Sequence, residues 1–372
     1  MSPRLWGVVW RVLFGTLAGC SATEPRQTPD SSQREPDSGD VLQDTGVSQD
    51  TGAPEDTDPP EETLSPFEEC YKEIRGDGTQ REPDYDQFNP VIGAHCSGTN
   101  HQDIRGIERV VFLGDSITVG TPPTTDNEMY RNILADALAS KFGLSQAGAL
   151  WKAVNLIDGT ALFQEWGDFA SCARWGARTD DLMQDNRQVQ ECLPSEKQHL
   201  NTLVVMTIGG NDLAHLTKGF QEGKPVADLW TDTQQSMSHV REAVTWMKTP
   251  GRFPGGIHVV FSNLYEFTDA TGDTRSCPAA GLAGYGDAVT DPALEEMVVW
   301  SMEQFMEIAV DTQSDMLFLL ESFCGHGYRR EDVTGRCYRG PDSALWFDLT
   351  CTHPNPVGHQ VIADMVMDVV GE

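Results

Sequence analysis

Arg109-Val-Val-Phe-Leu-Gly-Asp-Ser-Ile-Thr-Val-Gly120 is the stretch on which the reading of this chain turns. Its first half, Val110 to Leu113, is an unbroken apolar run of the kind shown by a strand buried on both faces. The run stops at Gly114-Asp115-Ser116, where a glycine permits a tight turn and a small hydroxyl residue follows. A serine at the mouth of a buried strand is placed to be a nucleophile. It is also placed to cap the next helix. Two later segments, Gly209-Gly-Asn-Asp212 and His353-Pro-Asn355, favour the first role.

From this stretch onward strand-like and helix-like patterns alternate, which predicts a parallel sheet with helices on both faces. Strands are expected at 109–114, 152–157, 202–208, 257–262 and 316–320. Helices are expected at 227–248, 292–313 and 356–369. In the first of these, Leu229, Thr233, Met237, Val240, Val244 and Met247 share one face. The second and third open on Asp291-Pro292 and Asn355-Pro356, each a cap followed by a first-turn proline. Residues 265–290 and 324–351 show little periodicity. Loops of that length are often lids or substrate walls, and surface ornaments held by disulfides are the alternative.

The chain has 372 residues, enough for one large domain with extensions. It carries 57 acidic and 26 basic residues for a net charge of -31, which argues against nucleic acid as a partner. Near the N-terminus, Arg4 and Arg11 accompany a short apolar stretch, Val12 to Gly19, closed by Leu17-Ala-Gly-Cys20. The stretch is too short and interrupted to span a bilayer. It resembles the lipobox signal of bacterial lipoproteins, in which the leader is cleaved before the cysteine and Cys20 is acylated. A plain secretory signal with an incidental cysteine is the alternative, and both imply export. Residues 1–20 are therefore expected to be a signal peptide. Residues 21–66, with near-repeats such as Gln43-Asp-Thr-Gly46 and Gln49-Asp-Thr-Gly52, are expected to be a disordered acidic tether. Residues 67–106 read as an irregular lead-in stapled by a disulfide, and 107–372 as the folded body. The cysteines other than Cys20 form an even set, suited to up to four disulfides in an oxidising compartment. Short loops favour Cys70–Cys96, Cys172–Cys192 and Cys337–Cys351, leaving Cys277–Cys324. No cysteine or histidine cluster has zinc spacing, so no metal site is expected.

In an open parallel sheet, ligands sit beyond the carboxyl ends of the strands. Ser116 follows the first expected strand, and Gly176 lies between the second strand and the next helix. Asn211 follows the third strand and His353 the fifth. A histidine suits proton abstraction from a serine hydroxyl near neutrality. The backbone N–H groups of Ser116 and Gly176 and the Asn211 amide make three donors for a developing oxyanion. In order, Gly114-Asp-Ser-Ile-Thr118, Gly176, Gly209-Gly-Asn-Asp212 and His353-Pro-Asn-Pro-Val-Gly358 resemble the four blocks of the SGNH (GDSL) hydrolase superfamily. The resemblance covers roughly residues 107–370. It implies a flavodoxin-like three-layer α/β/α sandwich with a central parallel sheet of about five strands. It also implies ester hydrolysis through an acyl-enzyme without metal or cofactor. Carried over residue by residue, Ser116 is the nucleophile and His353 the base. Gly176 and Asn211 complete the oxyanion hole with Ser116. The family's acid stands three residues before the histidine, where this chain has Thr350. Asp348 is taken instead as the orienting acid, brought in by a bend at Cys351; a backbone carbonyl is the alternative.

Asp115 and Asp212 read as turn braces, and His359 as structural or exposed on the closing helix. His95, His101, His215 and His326 read as solvated loop residues, and Trp175 and Trp346 as core or pocket lining. The expectation is a monomeric serine esterase tethered through lipidated Cys20 to the bacterial envelope, at the outer membrane or cell surface. Its expected substrates are short-chain or acetyl esters of envelope or environmental polysaccharide. A lipase or lysophospholipase for longer acyl chains is one alternative, and a non-catalytic binding module on the same fold is the other.

Overall fold

The computed structural model describes residues 63–74, 81–281 and 291–372. The expected signal, its Cys20 and nearly all of the expected tether lie outside these residues. Along the chain the elements are α1 (Pro66–Tyr71), β1 (Arg109–Gly114), α2 (Ser116–Val119), α3 (Tyr130–Phe142), α4 (Ala149–Lys152), β2 (Val154–Asn155), β3 (Thr160–Ala161), β4 (Glu165–Trp166) and β5 (Phe169–Ser171). There follow α5 (Gln188–Cys192), β6 (Thr202–Thr207), α6 (Gly210–Gln221), α7 (Val226–Met247), β7 (Ile257–Ser262), α8 (Pro292–Thr312), β8 (Asp315–Leu317), α9 (Leu319–Phe323) and α10 (Pro356–Gly371).

The main sheet runs β4-β5-β1-β6-β7-β8. Five of its strands are parallel, and β4 pairs antiparallel to β5 at one edge. Side chains alternate across a strand, so Val110 and Phe112 join Leu134 and Leu138 of α3 and Ile362 and Val366 of α10 in one core. Val111 and Leu113 join Val240 and Val244 of α7 and Phe305 of α8 in the other. Neither face of β1 meets water, which is why its sequence has no polar side. The architecture is the expected three-layer α/β/α sandwich. The expected stripe on α7 is buried. Asp291 and Asn355 cap α8 and α10 with Pro292 and Pro356 at their first turns.

With β5 on one side of β1 and β6 on the other, the chain reverses its direction of travel across the sheet at β1. A crevice opens beyond the strand ends at such a point. Ser116 and Asn211, which follow β1 and β6, both emerge there.

Three expectations change. The 152–157 run is not a strand of the main sheet: α4 ends at Lys152, and β2 pairs only with β3 in a separate hairpin. Asn155 closes its turn by accepting from Ile157 and Asp158 N–H, which leaves Leu156 and Ile157 in solvent. The place beside β1 belongs to the three-residue β5. Secondly, the strand expected at 316–320 stops at Leu317 and gives way to α9. Thirdly, the disulfides are Cys70–Cys96, Cys172–Cys192, Cys277–Cys351 and Cys324–Cys337. The last two replace the pairing expected from loop length, because the fold brings the 265–281 segment onto the histidine loop. The lead-in covers the free edge of β8: Thr99 N–H donates to Met316 O at 2.9 Å, and Gly98 bridges Leu317.

Candidate active site

Gly114 ends β1 at φ 128, and a Cβ there would fall 2.0 Å from Thr207 O. Only glycine lets β1 and β6 approach this closely before the chain turns. The Gln188 side chain fixes the same residue from α5: its Oε1 accepts from Gly114 N at 2.8 Å and its Nε2 donates to Gly114 O at 3.0 Å. Asp115, buried, caps α2 by accepting from Ile117 N at 2.9 Å. Burial, opposed by that bond and reinforced by Asp212, raises its pKa to about 7. Beneath the turn, Thr118 Oγ1 lies 2.7 Å from Tyr130 Oη and 2.6 Å from Thr207 Oγ1, a closed hydroxyl cluster. Ser116 is thus set on a rigid support at the end of β1.

His353 arrives on the segment between the Cys277–Cys351 bridge and α10. Cys351 adopts φ 74, Asp348 N–H donates to His353 O at 2.9 Å, and Cys351 N–H donates to Asp348 O at 3.1 Å. The result is a tight loop that aims the imidazole at the end of β1. His353 Nε2 lies 2.8 Å from Ser116 Oγ. The other ring nitrogen, Nδ1, lies 2.6 Å from Thr350 Oγ1, and that hydroxyl lies 2.5 Å from Asp348 Oδ1. Asp348 is therefore linked to His353 through Thr350, not directly and not replaced by a backbone carbonyl. Burial lowers the His353 pKa to about 4, since a ring with both nitrogens enclosed is poorly solvated when charged.

Gly176 follows β5 at φ 75 with open space where a side chain would stand, so a bound oxygen can approach its N–H. Asn211, second residue of α6, donates through Nδ2 to Ala177 O at 2.8 Å, which joins it to the Gly176 loop. Asp212 braces that loop, accepting from Thr179 N at 3.0 Å, Thr179 Oγ1 at 3.1 Å and Ser236 Oγ at 3.0 Å, and pairing with Arg178. Trp175 Nε1 donates to Gly120 O at 2.9 Å.

His359 is buried on α10, where Nδ1 accepts from Tyr130 N at 3.3 Å. His101 is not solvated as expected: its ring meets Ser314 O and Val91 N. His215 lies on α6, not in a loop. A small cleft between α6, α7 and α8 is lined by Gly209, Leu213, Met237, Leu264, Met302 and Phe305. Neither Ser116 nor His353 borders it. Among the described residues, no group of three or more His, Cys, Asp or Glu side chains is placed to hold a metal ion, and no helix is long and apolar enough to cross a membrane.

Reading the sequence missed Gln188 and misjudged Thr350. Nothing local marks the first. The second had a signal: Asp348-Leu-Thr350 is an Asp-x-Thr pattern, which favours a turn closed by the aspartate side chain.

A hydroxyl and an imidazole thus meet at the mouth of a doubly wound sheet, with Asn211 and the Gly176 loop joined at the ends of the strands on either side. The model of the GDSL-like lipase/acylhydrolase family matches residues 110–366, and the chain belongs to that family. That family is part of the SGNH superfamily. Among solved structures it is similar to one described as a gut microbial diltiazem-metabolizing enzyme, at 13% identity and a TM-score of 0.44. The match covers 73% of this chain and 49% of the other, so the chain spans about half that protein's length. A comparison with curated proteins finds no match.

Proposed function

We propose that Ser116 is the nucleophile, His353 its base, and the N–H groups of Ser116 and Gly176 with the Asn211 amide the oxyanion hole. The observation that carries this is the 2.8 Å approach of His353 Nε2 to Ser116 Oγ. Attack on the ester carbonyl transfers the serine proton to His353, which then returns it to the departing alcohol. Water repeats the sequence on the acyl-enzyme. Asp348 supplies the negative charge behind the imidazole. If this holds, Ser116→Ala lowers kcat by about 10³-fold or more with the fold intact, and a fluorophosphonate labels the wild type but not the variant. Turnover by the variant at near wild-type rate removes Ser116 from the mechanism. An unlabelled, inactive wild type would favour the binding-module reading.

The proposed substrates are short-chain or acetyl esters on envelope or environmental polysaccharide. The polar segments 265–281 and 324–351 support this, since Asp269 knits them together by accepting from Gly325, Gly327 and Arg329 N–H. A chain exported and tethered through acylated Cys20 is part of the same reading, and four disulfides suit an oxidising extracellular setting. One observation favours longer acyl chains. Leu150, Leu156, Ile157, Leu162, Phe163 and Trp166 are all exposed, and Gly159 of their hairpin sits against Trp175, beside Gly176. A p-nitrophenyl ester series from acetate to palmitate decides between the two. An acetate optimum supports the polysaccharide reading, and a long-chain optimum the other.

A further inference from the structure

The imidazole of His353 is held by an alcohol. Thr350 Oγ1 is 2.6 Å from Nδ1 and 2.5 Å from Asp348 Oδ1. A threonine hydroxyl has one hydrogen to give and lone pairs to accept with. Burial raises the Asp348 pKa, opposed by its two bonds from Thr350; while ionised, the carboxylate only accepts, and the Thr350 O–H then points at it. The Thr350 N–H also donates to Oδ1, at 2.8 Å. Among the described residues these are the only hydrogen bonds to that carboxylate, and its Oδ2 is buried without a partner. With its hydrogen committed, Thr350 meets the ring as an acceptor. Nδ1 must then carry the ring proton, which leaves Nε2 with the lone pair that faces Ser116 Oγ at 2.8 Å.

We propose, resting on the assignment of Ser116 and His353 above, that Thr350 is a positioning residue. Its hydroxyl relays the Asp348 carboxylate to His353 and selects the tautomer able to take the serine proton. As the Ser116 Oγ–carbon bond forms, the O–H bond breaks and its proton passes to Nε2. Nδ1–H stays on Thr350 Oγ1, and the Thr350 hydrogen stays on Asp348. When the intermediate collapses, the Nε2 proton goes to the leaving alkoxide. No proton crosses Thr350; its dipole transmits the carboxylate's field. Were Asp348 neutral, Thr350 would be free to donate to Nδ1, the ring proton would move to Nε2, and the base would be lost.

A turn closed by Asp348 explains the Thr350 N–H bond by itself. It does not explain a hydroxyl wedged between carboxylate and ring. The surrounding titratable groups do not substitute for it. Tyr328 donates to Asp348 O at 2.7 Å and Tyr265 to Thr352 O at 2.9 Å, both backbone oxygens. His359 is engaged with Tyr130 N.

The test compares Thr350→Val and Thr350→Ser with wild type on p-nitrophenyl acetate, alongside nitrogen NMR of the His353 ring. The valine variant should lose kcat by on the order of 10²-fold with KM within about twofold, while serine stays within about fivefold. The wild-type ring should carry its proton on Nδ1 at neutral pH. A valine variant within about threefold of wild type, or one labelled by fluorophosphonate as fast, overturns the relay and leaves the nucleophile assignment standing. A wild type with the proton on Nε2 overturns it whether or not the valine variant folds. Absent ester turnover and absent Ser116 labelling in the wild type would instead overturn the reading on which the relay rests.

Discussion

His353, the proposed base, has an unusual ionisation. Burial lowers its pKa to about 4, against about 6.5 for a free histidine. Because kcat/KM reports ionisations of the free enzyme, its acid limb should lie well below about 6.5, and a limb at or above that value would mean a carboxylate acts directly on the ring. The same shift enters stability. A histidine whose folded pKa is depressed is protonated first in the unfolded chain. Its contribution is complete above about 6.5 and is lost as pH falls toward the folded value. His359, lowered to about 3 by burial and then by His353, adds to that loss. Asp115, raised to about 7, acts oppositely: its contribution is present at low pH and is lost as pH rises through about 7. Denaturant midpoints across this range, with His353→Gln flattening the acid side, check the signs. At this scale the sequence is informative where chemistry follows a strand end. Ser116, Gly176, Asn211 and His353 each stand beside a glycine, a cap or a turn that can be read locally. The Thr350 link is not legible in that way, because it depends on side-chain torsions within a loop bent at Cys351.

At the scale of elements, the hairpin of β2 and β3 with the neighbouring β4 holds the most exposed apolar side chain of the described residues, Ile157. Its base is fixed by α3: Arg131 donates to the carbonyls of Trp151 and Lys152 at 3.3 and 2.9 Å, and Asn132 to Lys152 O at 2.9 Å. Its tip carries Leu156 and Ile157, 64% and 90% exposed, so the apolar surface is held out on a rigid stem. If that surface meets an acyl chain, Ile157→Asp should lower kcat/KM for a long-chain p-nitrophenyl ester by about tenfold, the worth of one buried aliphatic side chain. Acetate turnover should be unchanged. An equal fall for both esters would make the hairpin a structural prop. This element also marks where pattern reading fails. The run from Lys152 to Ile157 looks like a buried strand, but its largest side chains face solvent at a turn. The true neighbour of β1, Phe169-Ala170-Ser171, is too short to show any period. By contrast, β1, β6 and β7, with α7, α8 and α10, are legible because long apolar runs or stripes, and for α8 and α10 a cap-then-proline start, all point one way.

Across the whole molecule, one disulfide joins the two long polar segments and another closes a loop within the second, and they should matter for different reasons. Cys277–Cys351 closes 74 residues and Cys324–Cys337 closes 13. On chain entropy alone their removal costs about 4 and about 3 kcal/mol, so stability should separate them only slightly. Activity should separate them sharply. Cys351 holds φ 74, a conformation that non-glycine residues keep only where the surroundings impose it. That residue lies between Asp348 and His353 in the loop that delivers the imidazole. Cys324 and Cys337 brace the wall behind it and touch none of the four proposed catalytic side chains. Cys277→Ser with Cys351→Ser should therefore lower kcat by on the order of 10²-fold, the scale expected for misplacing a reacting group by about 1 Å. Fluorophosphonate labelling should slow in parallel. Cys324→Ser with Cys337→Ser should lower the denaturant midpoint while kcat stays within about threefold. Comparable kcat losses in the two double variants would mean that the bridges act only through global stability, and that the histidine loop keeps its shape without Cys351 pinned.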